Sequence, residues 1–317
     1  MSRFRNMCLV TGTADPQLAE AIAKCLDVDL TNAEVSRFPD GEINVKINSD
    51  VRGSDAFIIQ STCPPVNDNL MEILILIDTL KRASADRITA VIPYYGYARK
   101  DRKDEGRVPI TAKLTANLLE RAGADRVMTI DLHASQIQGF FDIPVDHLYG
   151  SPVFLDCFSR LKLKKLTVLA TDAGASKRAQ AYARLFGGEL AIIDKRRVGP
   201  DKIEVANVIG ELEGREVIII DDMISTGGSI CEAARIANEK GADRLFLAAT
   251  HPVLCGEAIN RLKKAPVEKI FISDTIPVDI NDFDGKIEIL SVAPLLSEAI
   301  KRVHMNMSVS SIFEQAN

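Results

Sequence analysis

Short apolar, β-branched runs alternate with amphipathic helical stretches along the whole chain, and this alternation constrains the fold more than any other feature. Runs made wholly of Val, Ile and Leu are buried on both faces, as in parallel sheets covered by crossover helices. Candidate strands in the first half are residues 8–12, 56–61, 88–93 and 127–132. The second half supplies 166–170, 190–194, 216–221, 245–249, 269–273 and 287–292. Asp15 can cap a helix with Pro16 at its first position, and Leu18, Ile22, Cys25 and Leu26 then share one face. Helices near 112–122 and 230–240 each stop at a glycine, Gly123 and Gly241, suited to a left-handed C-cap. The expected fold class is α/β.

With 317 residues the chain suits two domains of about 150 residues each. Ala-Asp-Arg recurs at 85–87, 124–126 and 242–244, each time closing a helix before an apolar strand. Two copies lead on to a histidine, His133 and His251. Either the tripeptide is a common helix-to-strand turn, or the halves share one design, a mainly parallel sheet flanked by helices. The boundary falls near 149–152, giving an N-terminal domain of residues 1–149 and a second domain of 150–304.

A net charge of −5 argues against a general nucleic-acid binder, so any anionic ligand must be held by local basic clusters. No apolar run is long enough for a signal peptide core or a membrane span, and the run at 70–80 is cut by Glu72 and Asp78. The six cysteines contain no CxxC pair and read as reduced core residues of a cytoplasmic protein.

The most specific segment runs from Val217 to Ser229. Three isoleucines deliver Asp221 and Asp222 at the carboxyl end of a strand, where open α/β sheets bind ligands. Ser225, Thr226, Gly227, Gly228 and Ser229 follow and open a helix, aiming backbone N–H groups, hydroxyls and a positive helix end at one spot. A phosphate suits that spot; the two carboxylates suit ribose hydroxyls or a magnesium ion. Residues 98–107 carry five cations among three acids, either a solvated loop or a polyphosphate clamp. Residues 38–42 form a sharp turn before the alternating Ile43, Val45 and Ile47, as in a hairpin.

The segment around Asp221 resembles the phosphoribosyl-diphosphate (PRPP) motif of type I phosphoribosyltransferases and of ribose-phosphate diphosphokinases. The rest resembles the diphosphokinases, the PRPP synthetases, nearly end to end. The matching stretches are Arg37-Phe-Pro-Asp-Gly-Glu42, Asn67-Asp-Asn-Leu-Met-Glu72, 97–103, 109–113 and, most specific, Asp131 to Asp146. The resemblance is to the phosphate-activated bacterial and animal class, with a type I phosphoribosyltransferase-like fold.

It implies transfer of diphosphate from Mg-ATP to the anomeric hydroxyl of ribose 5-phosphate, giving PRPP and AMP. Alternatives are a non-catalytic regulatory subunit and a phosphoribosyltransferase. By resemblance Phe38 stacks on adenine from a neighbouring subunit, and Asp40, Gly41 and Glu42 belong to the same grip. Arg99 and Lys100 hold ATP phosphates. His133 stands at the Mg-ATP site and Asp172 near a second magnesium or the ribose, so the implied cofactor is Mg²⁺. Lys195 and Arg197 lie in a catalytic loop and stabilise charge on the transferred group, and Arg197 also counts as a ribose 5-phosphate ligand. Asp221, Asp222 and Ser225–Ser229 take ribose 5-phosphate. The family forms hexamers, with an effector-phosphate site near Ser135, Gln138, Ser308 and Ser310. Residues 305–317 are then expected to pack back on the N-terminal domain. Departures from the family pattern are Lys100 for Gln, His147 for Asn, Ser225 for Asp, Ser229 for Thr, and the pair Ala175–Ser176 where glycine is more usual.

Overall fold

The computed structural model describes residues 6–197, 203–283 and 285–314, which form two compact units. The first begins with β1 (Met7–Thr11), α1 (Pro16–Leu26), β2 (Ala33–Arg37), β3 (Ile43–Ile47) and β4 (Asp55–Ile59). It continues with α2 (Val66–Arg82), β5 (Arg87–Ile92), α3 (Thr111–Ala122), β6 (Arg126–Ile130), a 3₁₀ turn (Ser135–Phe140) and β7 (Val145–Leu148). The second unit opens at Gly150 with α4 (Ser151–Leu161), β8 (Leu166–Ala170), α5 (Ser176–Phe186), β9 (Glu189–Arg197), β10 (Ile203–Ile209) and β11 (Glu216–Ile224). Then come α6 (Gly228–Glu239), β12 (Arg244–Pro252), α7 (Ala258–Lys264), β13 (Lys269–Ser273) and β14 (Ile287–Leu290). From Ser291 the chain returns to the first unit, which takes α8 (Ala293–His304) and α9 (Ser311–Glu314), and also Thr275–Pro277.

The expected second domain of 150–304 is therefore corrected at its end, since α8 packs on α1 of the first unit. Polar contacts between distant residues fix it there. Arg87 clasps Asp55 through Nε and Nη2 at 2.7 and 2.6 Å, and Nη2 also donates to the Val303 carbonyl at 3.0 Å. His304 Nδ1 lies 2.7 Å from Asp55 Oδ2.

The first sheet is wholly parallel, in the order β1-β4-β5-β6-β7, with β2 and β3 forming the expected hairpin apart from it. The Asp15 side chain accepts from Leu18 N–H, as a cap should, but Cys25 is exposed rather than on the buried face. Cys255 is exposed too, so these two cysteines are not core residues. The turn from β1 to α1 is closed internally. Buried Glu72 accepts from Thr13 N–H at 2.6 Å, from the Thr13 hydroxyl at 2.7 Å and from the Gln60 amide at 2.8 Å. Gln60 Oε1 takes Ala14 N–H, and a Cβ on Gly12 would lie 2.2 Å from that oxygen.

The second sheet runs β10-β9-β8-β11-β12-β13-β14, parallel except for the antiparallel β9–β10 edge. In β11, Val217 and Ile219 join the core beneath α6, while Ile218 and Ile220 face Phe154, Phe158, Phe246 and Phe271. Burial on both faces explains the uninterrupted apolar run. The Ala-Asp-Arg copies share a structural role. Each arginine starts a strand and reaches a carboxylate of the neighbouring one: Arg87 to Asp55, Arg126 to Asp146, and Arg244 to Glu216. Among the described residues no helix is long and apolar enough to cross a membrane.

Candidate active site

In the second sheet β8 and β9 lie on one side of β11's β8 edge and β12 to β14 on the other, so strand order reverses between β8 and β11. Ligands of open α/β sheets gather at the carboxyl side of such a switch. β8 stops pairing at Ala170, opposite Ile220, whereas β11 continues along β12 to Ile224. Asp221 and Asp222 occupy that margin, which is unpaired on the β8 side.

The pair is tightly built. Asp221 Oδ2 accepts from the Thr171 hydroxyl at 3.2 Å, and its Oδ1 accepts from Asp222 N–H at 2.9 Å. Arg178 Nη1, from the first turn of α5, donates to Asp221 Oδ1 at 3.2 Å and to Asp222 Oδ1 at 3.1 Å. Burial pushes the Asp221 carboxyl up to about 7, the adjacent Asp222 adds to the rise, and Arg178 opposes it.

The glycine turn follows. Gly227 adopts φ +74°, the left-handed conformation open to glycine, and α6 starts at Gly228 with no side-chain cap. Its first N–H groups thus lie uncapped by any side chain at the positive end of a twelve-residue helix, an arrangement able to accept an anion. A Cβ on Gly228 would meet only Arg261 Nη1 at 3.4 Å and Thr226 Oγ1 at 3.8 Å. Arg261 Nη1 donates to the Thr226 carbonyl at 2.9 Å. Behind the turn, Cys255 N–H donates to the Ser225 carbonyl at 3.0 Å, and Ser225 Oγ lies 3.3 Å from Cys255 Sγ. Ser229 opens α6 beside Gly228.

Asp172 follows β8 at the same end of the sheet, and its Oδ1 accepts Ala175 N–H at 3.0 Å. Lys195 and Arg197 were expected to begin a loop; instead their backbones continue β9, paired with Val205 and Ile203 of β10. The expected loop residues 198–201 lie outside the described residues.

In the first unit, the β2–β3 turn is braced by Phe38 N–H to the Glu42 carbonyl at 2.8 Å and by Asp40 Oδ1 accepting Glu42 N–H at 3.1 Å. Gly41 has φ +96°, and Phe38 is 50% exposed on this rigid turn. Arg99 is exposed on the loop after β5, and Lys100 pairs with Asp104 at 2.9 Å. His133 is exposed just beyond β6. His147 bridges Leu132 N–H (3.0 Å, to Nε2) and the Gln138 amide (3.2 Å, at Nδ1), then contacts Tyr149, which meets Phe313 of α9. This chain of contacts brings the C-terminal segment toward Ser135 and Gln138. Ser308 and Ser310 sit on that segment with hydroxyls 2.8 Å apart.

Residues 7–123 match the model of the N-terminal domain of ribose phosphate pyrophosphokinase, and 197–314 match that of the phosphoribosyl synthetase-associated domain. A ribose-phosphate pyrophosphokinase of Rhodopirellula baltica is 53% identical over 98% of this chain and all of its own length. One of Thermosipho africanus is 52% identical over 98% of each. The chain belongs to the ribose-phosphate pyrophosphokinase family. Its activity is that of the family, synthesis of PRPP from ATP and ribose 5-phosphate. The two-sheet α/β fold matches the phosphoribosylpyrophosphate synthetase structure from Mycobacterium smegmatis, with a TM-score of 0.90, 41% identity, and coverage of 95% of this chain and 100% of that one.

Thr171, Arg178 and Arg261 were not singled out from the sequence. Only Arg178 left a local signal: it follows Lys177 in the first helical turn of α5, where the helix dipole favours acids.

Proposed function

We propose that the second unit binds ribose 5-phosphate at the β8–β11 switch, with the phosphate on the Ser225–Ser229 turn and the sugar hydroxyls on Asp221 and Asp222. The observation that carries this is the uncapped start of α6 beside a buried acid pair on one unpaired strand margin. The anion needs N–H donors and the hydroxyls need acceptors, and the two sets adjoin. ATP lies on the first unit, its adenine against Phe38, Asp40, Gly41 and Glu42 and its phosphates near Arg99 and Lys100. The exposed ring of Phe38 on a braced turn supports completion of this site by a neighbouring subunit, hence a homo-oligomer, a hexamer in our reading.

The anomeric hydroxyl attacks the β-phosphorus of ATP in line, the β–α bridging oxygen leaves with AMP, and the hydroxyl proton passes to water or phosphate. Such a transfer needs positioning and charge neutralisation more than covalent chemistry. Lys195 and Arg197 stabilise the charge on the transferred diphosphate, each worth about 3–4 kcal/mol if well placed.

The cofactor is Mg²⁺. Among the described residues no group of three or more His, Cys, Asp or Glu side chains could hold a metal alone. That fits magnesium, which keeps waters and takes phosphate oxygens with one or two carboxylates. His133 would face the magnesium carried by ATP, Asp172 a second ion or the ribose, and the ions would neutralise phosphate charge. We further assign the protein to the phosphate-activated class, with Ser135, Gln138, Ser308 and Ser310 at the effector site, and to the cytoplasm.

Incubation with Mg-ATP and ribose 5-phosphate tests the reaction. AMP should form only when the sugar phosphate is present, whereas stoichiometric ADP would mean γ-phosphoryl transfer and overturn the assignment.

A further inference from the structure

We infer that Arg178 is a positioning residue for ribose recognition: it aims the Asp221 and Asp222 carboxylates at the sugar hydroxyls. This rests on the assignment of the acid pair to ribose. One guanidinium nitrogen, Nη1, is shared by an oxygen of each carboxylate at 3.2 and 3.1 Å. Two adjacent carboxylates, one of them only 5% exposed, repel each other and would otherwise turn apart. A cation between them offsets part of that repulsion and fixes the rotation of both.

The placement also runs against local preference. Arg178 lies in the first turn of α5, which has no acidic residue there and has Lys177 beside the arginine. A cation in that turn opposes the helix dipole, and such a departure from helix preference marks a functional demand. The side chain is 23% exposed, so the ion pairs are little screened by solvent. Thr171 holds the far oxygen of Asp221 at 3.2 Å, so this carboxylate is gripped from both sides before any sugar arrives.

A pair held in this way should reject a sugar that lacks a hydroxyl, because an aimed and buried acceptor would be left unpaired. The readout is therefore the ratio of kcat/KM for ribose 5-phosphate to that for 2-deoxyribose 5-phosphate. In Arg178→Gln the ratio should fall by about ten-fold, with the ribose 5-phosphate KM raised about ten-fold and the ATP KM unchanged. Arg178→Lys keeps a cationic nitrogen but on a shorter, less pre-organised stem, and should fall between wild type and Arg178→Gln. It carries the test if the glutamine variant does not fold. A residue that only stabilised the fold would lower the thermal midpoint without moving the sugar ratio. A wild-type ratio in the folded variant would overturn the inference. Asp221→Asn, measured in parallel, separates the two levels. If it loses discrimination while Arg178→Gln keeps it, the arginine's role alone fails. If it keeps discrimination, the ribose assignment fails and the inference falls with it.

Discussion

Asp221→Asn tests the electrostatics of the acid pair through stability rather than turnover. In the folded chain the Asp221 carboxyl is raised from 3.8 to about 7, first by burial and then by Asp222. Between those values the folded state keeps a proton that the unfolded state has lost. Stability contributed at this position therefore falls as pH rises through the window. About three units at 1.36 kcal/mol each give a ceiling of about 4 kcal/mol. The side chain is four-fifths buried, so solvent screening removes little of it. Asparagine keeps the shape and cannot ionise, so the variant lacks this slope. Urea unfolding of both proteins at about pH 4.5 and about pH 8.5 gives two differences in unfolding free energy, variant minus wild type. The difference at the higher pH should exceed that at the lower by about 2–4 kcal/mol. Equal differences, or a variant that loses ground as pH rises, would refute the claim that Asp221 is held against its own ionisation.

Gly228→Ala should fold normally, because its Cβ meets nothing closer than 3.4 Å, yet raise the ribose 5-phosphate KM at least ten-fold by blocking the anion's approach. Saturation kinetics and a melting curve check both halves. Gly227→Ala, forced to φ +74°, should instead cost about 1 kcal/mol of stability in denaturant unfolding. Asp55→Ala leaves Arg87 and His304 without their shared carboxylate and should cost about 3 kcal/mol, with faster limited proteolysis near α8. For Lys195→Ala, kcat should drop about 10²-fold while the ribose 5-phosphate KM stays within a few-fold, which steady-state kinetics will show.

Parallel strands and their helices were legible because burial on both faces leaves an unmistakable signature, as in Val217 to Ile220. The acid pair and glycine turn were legible because strand, acids and helix start are contiguous. What stayed hidden depended on distance along the chain. The α8 pattern tells which face is apolar, not which sheet it covers, and its anchors Asp55 and Arg87 lie over 200 residues away. Strand β10 escaped notice because an antiparallel edge strand needs no continuous apolar run, and Lys195 and Arg197 look like a solvated turn until paired with it. Arg178 meets its carboxylates 43 and 44 positions downstream, so no local pattern could announce the pairing.

The turn between β1 and α1 also joins a parallel strand to a helix through a glycine, as the turn before α6 does. Glu72 already fills it with an anion belonging to the chain itself, bonded to Thr13 and Gln60, and Gly12 has no room to yield. A phosphate arriving there would have to displace a buried carboxylate from three donors and then sit beside its charge. The two turns are thus unequal: one is satisfied at folding by Glu72, the other is the one we propose for the substrate phosphate. Direct titration of the protein with ribose 5-phosphate should accordingly saturate these turns at one equivalent per chain, not two.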